Sequence, residues 1–129
     1  MPKTFIMLAS FNGFLAVLLG AFAAHGLEQR LGAELLTTFQ TGVEYHMTHA
    51  LALFGVGLLM LHRPNASLPI VSGYLFLLGI ILFSGSLYSL SLAGVSWLGA
   101  ITPLGGVCFL AGWGCLFWSA MKNELTANS

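Results

Sequence analysis

Four long apolar runs, residues 5–24, 43–61, 70–92 and 103–121, leave this chain few folds to choose from. The first, third and fourth contain no Asp, Glu, Lys or Arg, and the second contains only Glu44. About 20 apolar residues are needed to carry a helix across a hydrocarbon core about 30 Å thick, and each run meets that length. A water-soluble fold would need polar residues to cover its outside, yet only 6% of the chain is charged, against about a quarter in ordinary domains. With 57% hydrophobic residues and a mean hydropathy of +0.91, the sequence predicts an integral membrane protein, for which lipid makes a polar covering unnecessary.

The connections define how the runs are joined. Between the first two lies the most hydrophilic stretch, residues 27–41, with Glu28, Arg30 and Glu34. Leu27, Leu31, Leu35 and Phe39 recur there every fourth residue, which predicts an amphipathic helix resting on the bilayer or on the bundle rim, with Gly42 as a break before the next run. Pro64, Asn65 and Pro69 make a short turn between the second and third runs, so these are antiparallel neighbours. Thr102 followed by Pro103 marks the start of the fourth, with Trp97 in a short interfacial piece before it. The predicted fold is all-α: an antiparallel four-helix membrane bundle with an extra amphipathic helix between spans one and two, ending in a polar, frayed tail from Lys122 onward.

Small residues on the first run, Ala16, Gly20 and Ala24 together with Ala9 and Gly13, form a strip for close helix packing. Ala21-Phe22-Ala23 has the form of a signal cleavage site, but the run is long for a signal peptide and contains Asn12 and Gly13, so it reads as a retained span. With four spans both termini share one side, which collects Lys3, Arg63 and Lys122; the other side has Arg30 offset by Glu28 and Glu34. The excess of positive charge places both termini in the cytoplasm.

That topology brings polar residues from all four runs to the outer leaflet: His25, then Glu44, Tyr45, His46 and His49, then Ser84, Ser86 and Tyr88, then Thr102. Such agreement points to a shared site or a shared hydrogen-bond network. His46 and His49 lie about 60° apart on a helix, so with His25 they form a candidate metal set, Glu44 beside them. His25 and His49 could instead hold a haem from two helices. Against these stands a simpler reading, in which the histidines donate to carbonyls or to Glu44 and tie helices together, and it carries more weight. A proton pathway is the third possibility for Glu44 with the histidines.

Several function classes drop out. Four basic and four acidic residues give zero net charge, which leaves no footprint for nucleic acid. Glycines 85, 99, 105 and 106 lack the Lys-Ser/Thr of a phosphate loop and read as packing or turn positions. No nucleophile elbow is present, so catalysis by an activated serine has no support. Cys108 and Cys115 lie seven residues apart in one run, about 10 Å along a helix and too far for a disulfide. Phe and Trp residues late in the fourth run read as lipid-facing anchors. The function these residues favour is a non-enzymatic accessory or scaffold, without cofactor, whose partners are the bilayer and either another membrane protein or a second copy in a homo-oligomer.

Four stretches also carry a resemblance. Gly20-Ala21-Phe22-Ala23-Ala24-His25-Gly26-Leu27, the run from Phe39 through Glu44-Tyr45-His46-Met47-Thr48-His49, Phe83-Ser84-Gly85-Ser86-Leu87-Tyr88, and Gly99-Ala100-Ile101-Thr102-Pro103-Leu104-Gly105-Gly106 resemble, in order, a family of small bacterial membrane proteins known as domain of unknown function 423. Its eukaryotic branch is called transmembrane protein 256. The resemblance covers nearly the whole chain, implies a four-span protein of the bacterial cytoplasmic membrane, and implies no activity, substrate or cofactor.

Overall fold

The apolar runs close into four helical rods. A computed structural model describes residues 2–122, and over them no strand occurs. The polar tail beyond Lys122 lies outside the described residues. The first rod is α1, Pro2–Phe22, which ends in a π-helical turn, Ala23–Leu27. There the chain turns over, and Leu27 O accepts from the N–H groups of Arg30 (3.0 Å) and Leu31 (2.9 Å). The second rod is α2, Ala33–His62. The third is α3, Ser67–Gly79, continued through a second π-helical turn, Ile80–Ser84, into α4, Gly85–Ala93. Gly94 stops it with φ 71°, a left-handed conformation that a side chain would strain, while its N–H caps Leu90 O at 2.9 Å. A 3₁₀ turn, Ser96–Ala100, carries Trp97 and leads into α5, Thr102–Met121, with Pro103 in its first turn where a missing N–H costs nothing.

Three sequence expectations are corrected here. No break occurs at Gly42, and the amphipathic segment is not a separate helix: residues 33–62 form one helix of 30 residues, about 45 Å long. Its apolar stripe is used inside the bundle, where Phe39 and Leu27 are buried with Ala23, and Leu31, Val43 and Tyr88 pack against them. Gly42 faces Tyr88 and Leu87, so its lack of a side chain serves contact rather than bending. The small-residue strip also differs from the four-residue spacing expected. Ala9, Ala16 and Ala23 are buried at seven-residue intervals, Gly20 touches Val43, and Ala24 is exposed.

The rods are ordered α1, α2, α3–α4, α5, each antiparallel to its neighbour. Gly20 meets Val43 at one end of the α1–α2 contact and Gly57 meets Ile6 at the other. The outer rods are the more exposed: 22% of the apolar window of Pro2–Leu27 and 17% of that of Ser96–Met121 is buried, against 39% for Ser67–Ala93. Those three stretches are long and apolar enough to cross a membrane. The α2 rod falls short of that composition because Glu44, Tyr45, His46 and His49 dilute its apolar run.

Packing is by aromatic rings seated on glycines. Phe76 of α3 lies on Gly112 of α5 and Phe109 of α5 lies on Gly79, while Gly105 takes the backbone of Phe83 in the second π turn. Phe5 of α1 does the same on Gly73. Apolar surface gains nothing by leaving lipid for protein, so this fit of ring to notch carries much of the association. The main core consists of Phe5, Ala9, Leu53, Val56, Met60, Phe76, Ile80 and Phe109.

Candidate functional site

Two histidines one turn apart on α2 are both buried, at 3% exposure. Their surroundings differ because 60° on a central helix is enough to face different neighbours. His46 points between α1 and α4. Asn12 Nδ2 donates to Leu8 O at 2.8 Å, which turns its carbonyl oxygen toward His46. His46 Nε2–H donates to that Oδ1 at 3.0 Å, and Tyr88 O–H donates to His46 Nδ1 at 2.9 Å. The bonds thus run Tyr88, His46, Asn12, Leu8 and fasten α4, α2 and α1. His49 points toward α5. Its Nδ1–H donates to Tyr45 O at 2.8 Å, and its Nε2 accepts from Trp113 Nε1–H at 3.1 Å. Its ring lies on Phe109, centroids 3.5 Å apart and planes within 7°.

Every ring nitrogen is therefore engaged. The arrangement satisfies each histidine in its neutral form, with the proton on Nε2 in His46 and on Nδ1 in His49. The remaining polar residues are paired as fasteners. Ser84 Oγ donates to Gly42 O at 2.8 Å, joining the second π turn to α2. Ser86 Oγ donates to Phe83 O at 2.9 Å and accepts from Thr102 at 2.6 Å, joining α4 to α5. Ser72 Oγ donates to Gly112 O at 2.8 Å. No buried side-chain nitrogen or oxygen among the described residues lacks a partner.

The polar constellation expected from sequence is thus divided. Tyr88 joins His46; the Tyr45 backbone joins His49; Ser86 joins Thr102; Ser84 bonds separately to α2. His25, in the first π turn, and Glu44, on α2, are both exposed. Among the described residues no three His, Cys, Asp or Glu side chains lie together as a metal-binding group, so the set His25, His46 and His49 is not assembled. Thr102 bonds across to Ser86 instead of capping α5. Sequence reasoning missed two partners. Trp113 is half-exposed but turns its N–H inward. Asn12 carried a usable signal: as an amide in an uncharged run, it falls opposite His46 once α1 and α2 are set antiparallel.

Beside His49 a cleft of about 560 Å³ opens between α2 and α5, lined by Tyr45, Thr48, Phe83, Phe109 and Trp113 among others.

An all-helical chain with three stretches fit to cross a bilayer, and with polar groups bonded to one another inside, is a small polytopic membrane protein. It belongs to the family described as "Protein of unknown function (DUF423)", whose model matches residues 19–106. It is 49% identical over 120 residues to the UPF0382 membrane protein YwdK of Bacillus subtilis (strain 168), covering 93% of this chain and 98% of the relative. It is 42% identical over 117 residues to the UPF0382 inner membrane protein YgdD of Escherichia coli (strain K12), covering 91% and 88%. A UPF0382 membrane protein of Haemophilus influenzae is 40% identical over 124 residues, covering 96% and 98%. No solved structure matches the chain.

Proposed function

We propose that this chain is a four-span protein of the bacterial cytoplasmic membrane that acts as a non-enzymatic accessory or scaffold. The observation that carries the reading is the full engagement of His46 and His49: three of their four ring nitrogens hold α1, α4 and α5 against α2, the fourth bonds within α2, and none is left for a substrate. Side chains spent in this way are fasteners. The fourth span is α2, whose place between α1 and α3–α4 lets His46 and His49 turn inward. Four crossings put both termini on one side, and Lys3, Arg63 and Lys122 make that side cytoplasmic. The words "inner membrane" in the name of the Escherichia coli relative support the location. The lightly buried α1 and α5 leave broad apolar faces for lipid, for a helix of another membrane protein, or for a second copy.

The alternative is a metal, haem or proton site at His25, Glu44, His46 and His49. To ligate through its free lone pair, His46 must give up Tyr88 and His49 must give up Trp113. Elemental analysis and an absorption spectrum of gently purified protein, beside a His46→Ala, His49→Ala double variant, separate the two. The scaffold reading expects a blank in both; stoichiometric metal or a haem band lost in the variant overturns it.

A further inference from the structure

Glu44 is the one carboxylate inside an apolar run, and nothing in the chain answers it. It is exposed and, among the described residues, makes no hydrogen bond or ion pair. Lys3, Arg63 and Lys122 belong to the opposite end of the bundle. Arg30 precedes the start of α2, which lies eleven helical residues, about 16 Å, from Glu44. Gly20 meets Val43, which leaves His25 about 7 Å further along the first rod. The depth of Glu44 follows from the packing. His49 stacks on Phe109, and α2 and α5 run in the same direction, so Glu44, five residues before His49, comes level with Leu104 in the first turn of α5. Trp97, 66% exposed, precedes that turn and marks the interface. The carboxylate therefore stands where lipid headgroups meet their acyl chains, a depth at which it is costly without a partner.

Two hollows descend from this level, one on each side of the exposed face of α2. The cleft against α5, about 560 Å³, runs from Pro103 to Trp113. The hollow against α1, about 520 Å³, runs from Leu18 to Ser10 and takes in Gly13 and Met47. The contacts of Gly20 with Val43 and of Gly57 with Ile6 set Leu18 level with Tyr45, and Ser10 level with Leu53. The stack of His49 on Phe109 sets Trp113 level with Leu53 as well. The hollows thus lie side by side through one depth, about 12 and 15 Å long. Leu51, 64% exposed, stands between them, and Glu44 stands above both. Two apolar channels meeting at one polar end have the form of a diacyl phospholipid. A partner helix, about 10 Å across, would rest on the ridge of α2 and leave both channels unfilled. Charge selects the headgroup. A carboxylate repels a head of net negative charge, a quaternary choline offers it no N–H, and a primary ammonium offers three.

We propose that this face holds one phospholipid with a primary ammonium headgroup, its ammonium on the Glu44 carboxylate and its two acyl chains in the hollows on either side of α2. The inference rests on the four-span reading, since α2 must share the depth of α5.

The test places the full chain in nanodiscs of equal parts dioleoyl phosphatidylethanolamine, phosphatidylcholine and phosphatidylglycerol, and native mass spectrometry reads the lipid each chain retains. One lipid per chain is expected, the ethanolamine form enriched about 3- to 10-fold over each of the others, as one ion pair at the interface gives. Glu44→Gln should remove that preference, and Glu44→Lys should turn it toward phosphatidylglycerol. Gly13→Leu and Gly106→Leu each fill one hollow and should each cut retention of the lipid. A Cβ at Gly13 meets nothing within 4 Å and one at Gly106 meets only Phe83 at 4.0 Å, so both helices accommodate the change, and an unchanged melting temperature verifies that. Equal retention of the three headgroups, a preference that survives Glu44→Gln, or full retention in both filled variants overturns the proposal. Impermeant maleimide labelling of Thr37→Cys and Asn65→Cys in sealed vesicles, with Cys108→Ser and Cys115→Ser, separates the causes. Opposite-side labelling without a headgroup preference overturns the lipid site alone; same-side labelling overturns the four-span reading with it.

Discussion

His46 and His49 occupy one turn of one helix and hold their protons on opposite ring nitrogens. Nitrogen-15 spectra of selectively labelled protein near neutral pH are expected to show His46 protonated at Nε2 and His49 at Nδ1; the same tautomer at both would contradict the bonding described. Removing the partners has a graded cost. Tyr88→Phe deletes one donor and keeps the ring on Phe39, so it is expected to destabilise by about 0.6–1.7 kcal/mol, between the average and the largest cost of an interhelical bond in a membrane bundle. His46→Ala strands both Asn12 and Tyr88 and opens a cavity, for about 2–4 kcal/mol. Steric-trap or denaturant unfolding ranks the two, and equal effects would mean the chain of bonds contributes nothing. At this scale the sequence made the histidines conspicuous but left their partners hidden. A motif such as Glu-Tyr-His-Met-Thr-His is local, whereas Asn12 and Trp113 lie 34 and 64 residues from the histidines they serve.

Elements meet through rings in glycine notches, and each notch has its own tolerance. A Cβ at Gly105 would run into the backbone of Phe83, which cannot move without unwinding the second π turn. At Gly13 a Cβ meets nothing within 4 Å. Gly105→Ala is therefore expected to destabilise by about 1–3 kcal/mol, while Gly13→Ala gains up to about 1 kcal/mol from helix propensity. Thermal melting of the two variants in one detergent checks the contrast, and equal shifts would refute it. Helix positions were legible because apolar runs of this length have few other uses. The π turns and the glycine pairings were not, since both depend on which helix lies opposite. Gly42 shows the difference: by sequence it looks like a hinge, and only the presence of Tyr88 against it explains a glycine in the interior of a helix.

For the whole molecule the decisive question is whether α2 crosses the bilayer. Single cysteines placed in a Cys108→Ser, Cys115→Ser background test it. Position 37 is expected to react with a membrane-impermeant maleimide from one side and position 65 from the other, with position 58 unreactive; reaction of 37 and 65 from the same side would reduce the spans to three. The membrane class was readable from charge scarcity alone, because lipid imposes the strictest requirement a chain can meet. The hydropathy of α2 was harder to read, as its two buried histidines are an internal matter of the bundle while Glu44 stays exposed.

One consequence concerns mechanics. A helix of 30 residues without a break is a stiff rod, about half again as long as the hydrocarbon core is thick. Its first turns, with Glu34 and Gln40 exposed, are rigidly coaxial with the part that lies among the other helices. A sideways displacement of that end cannot be absorbed by a joint at Gly42; it must tilt the entire rod, and the opposite end near His62 swings the other way. The chain has, in effect, a lever with its fulcrum at the turn that holds His46 and His49.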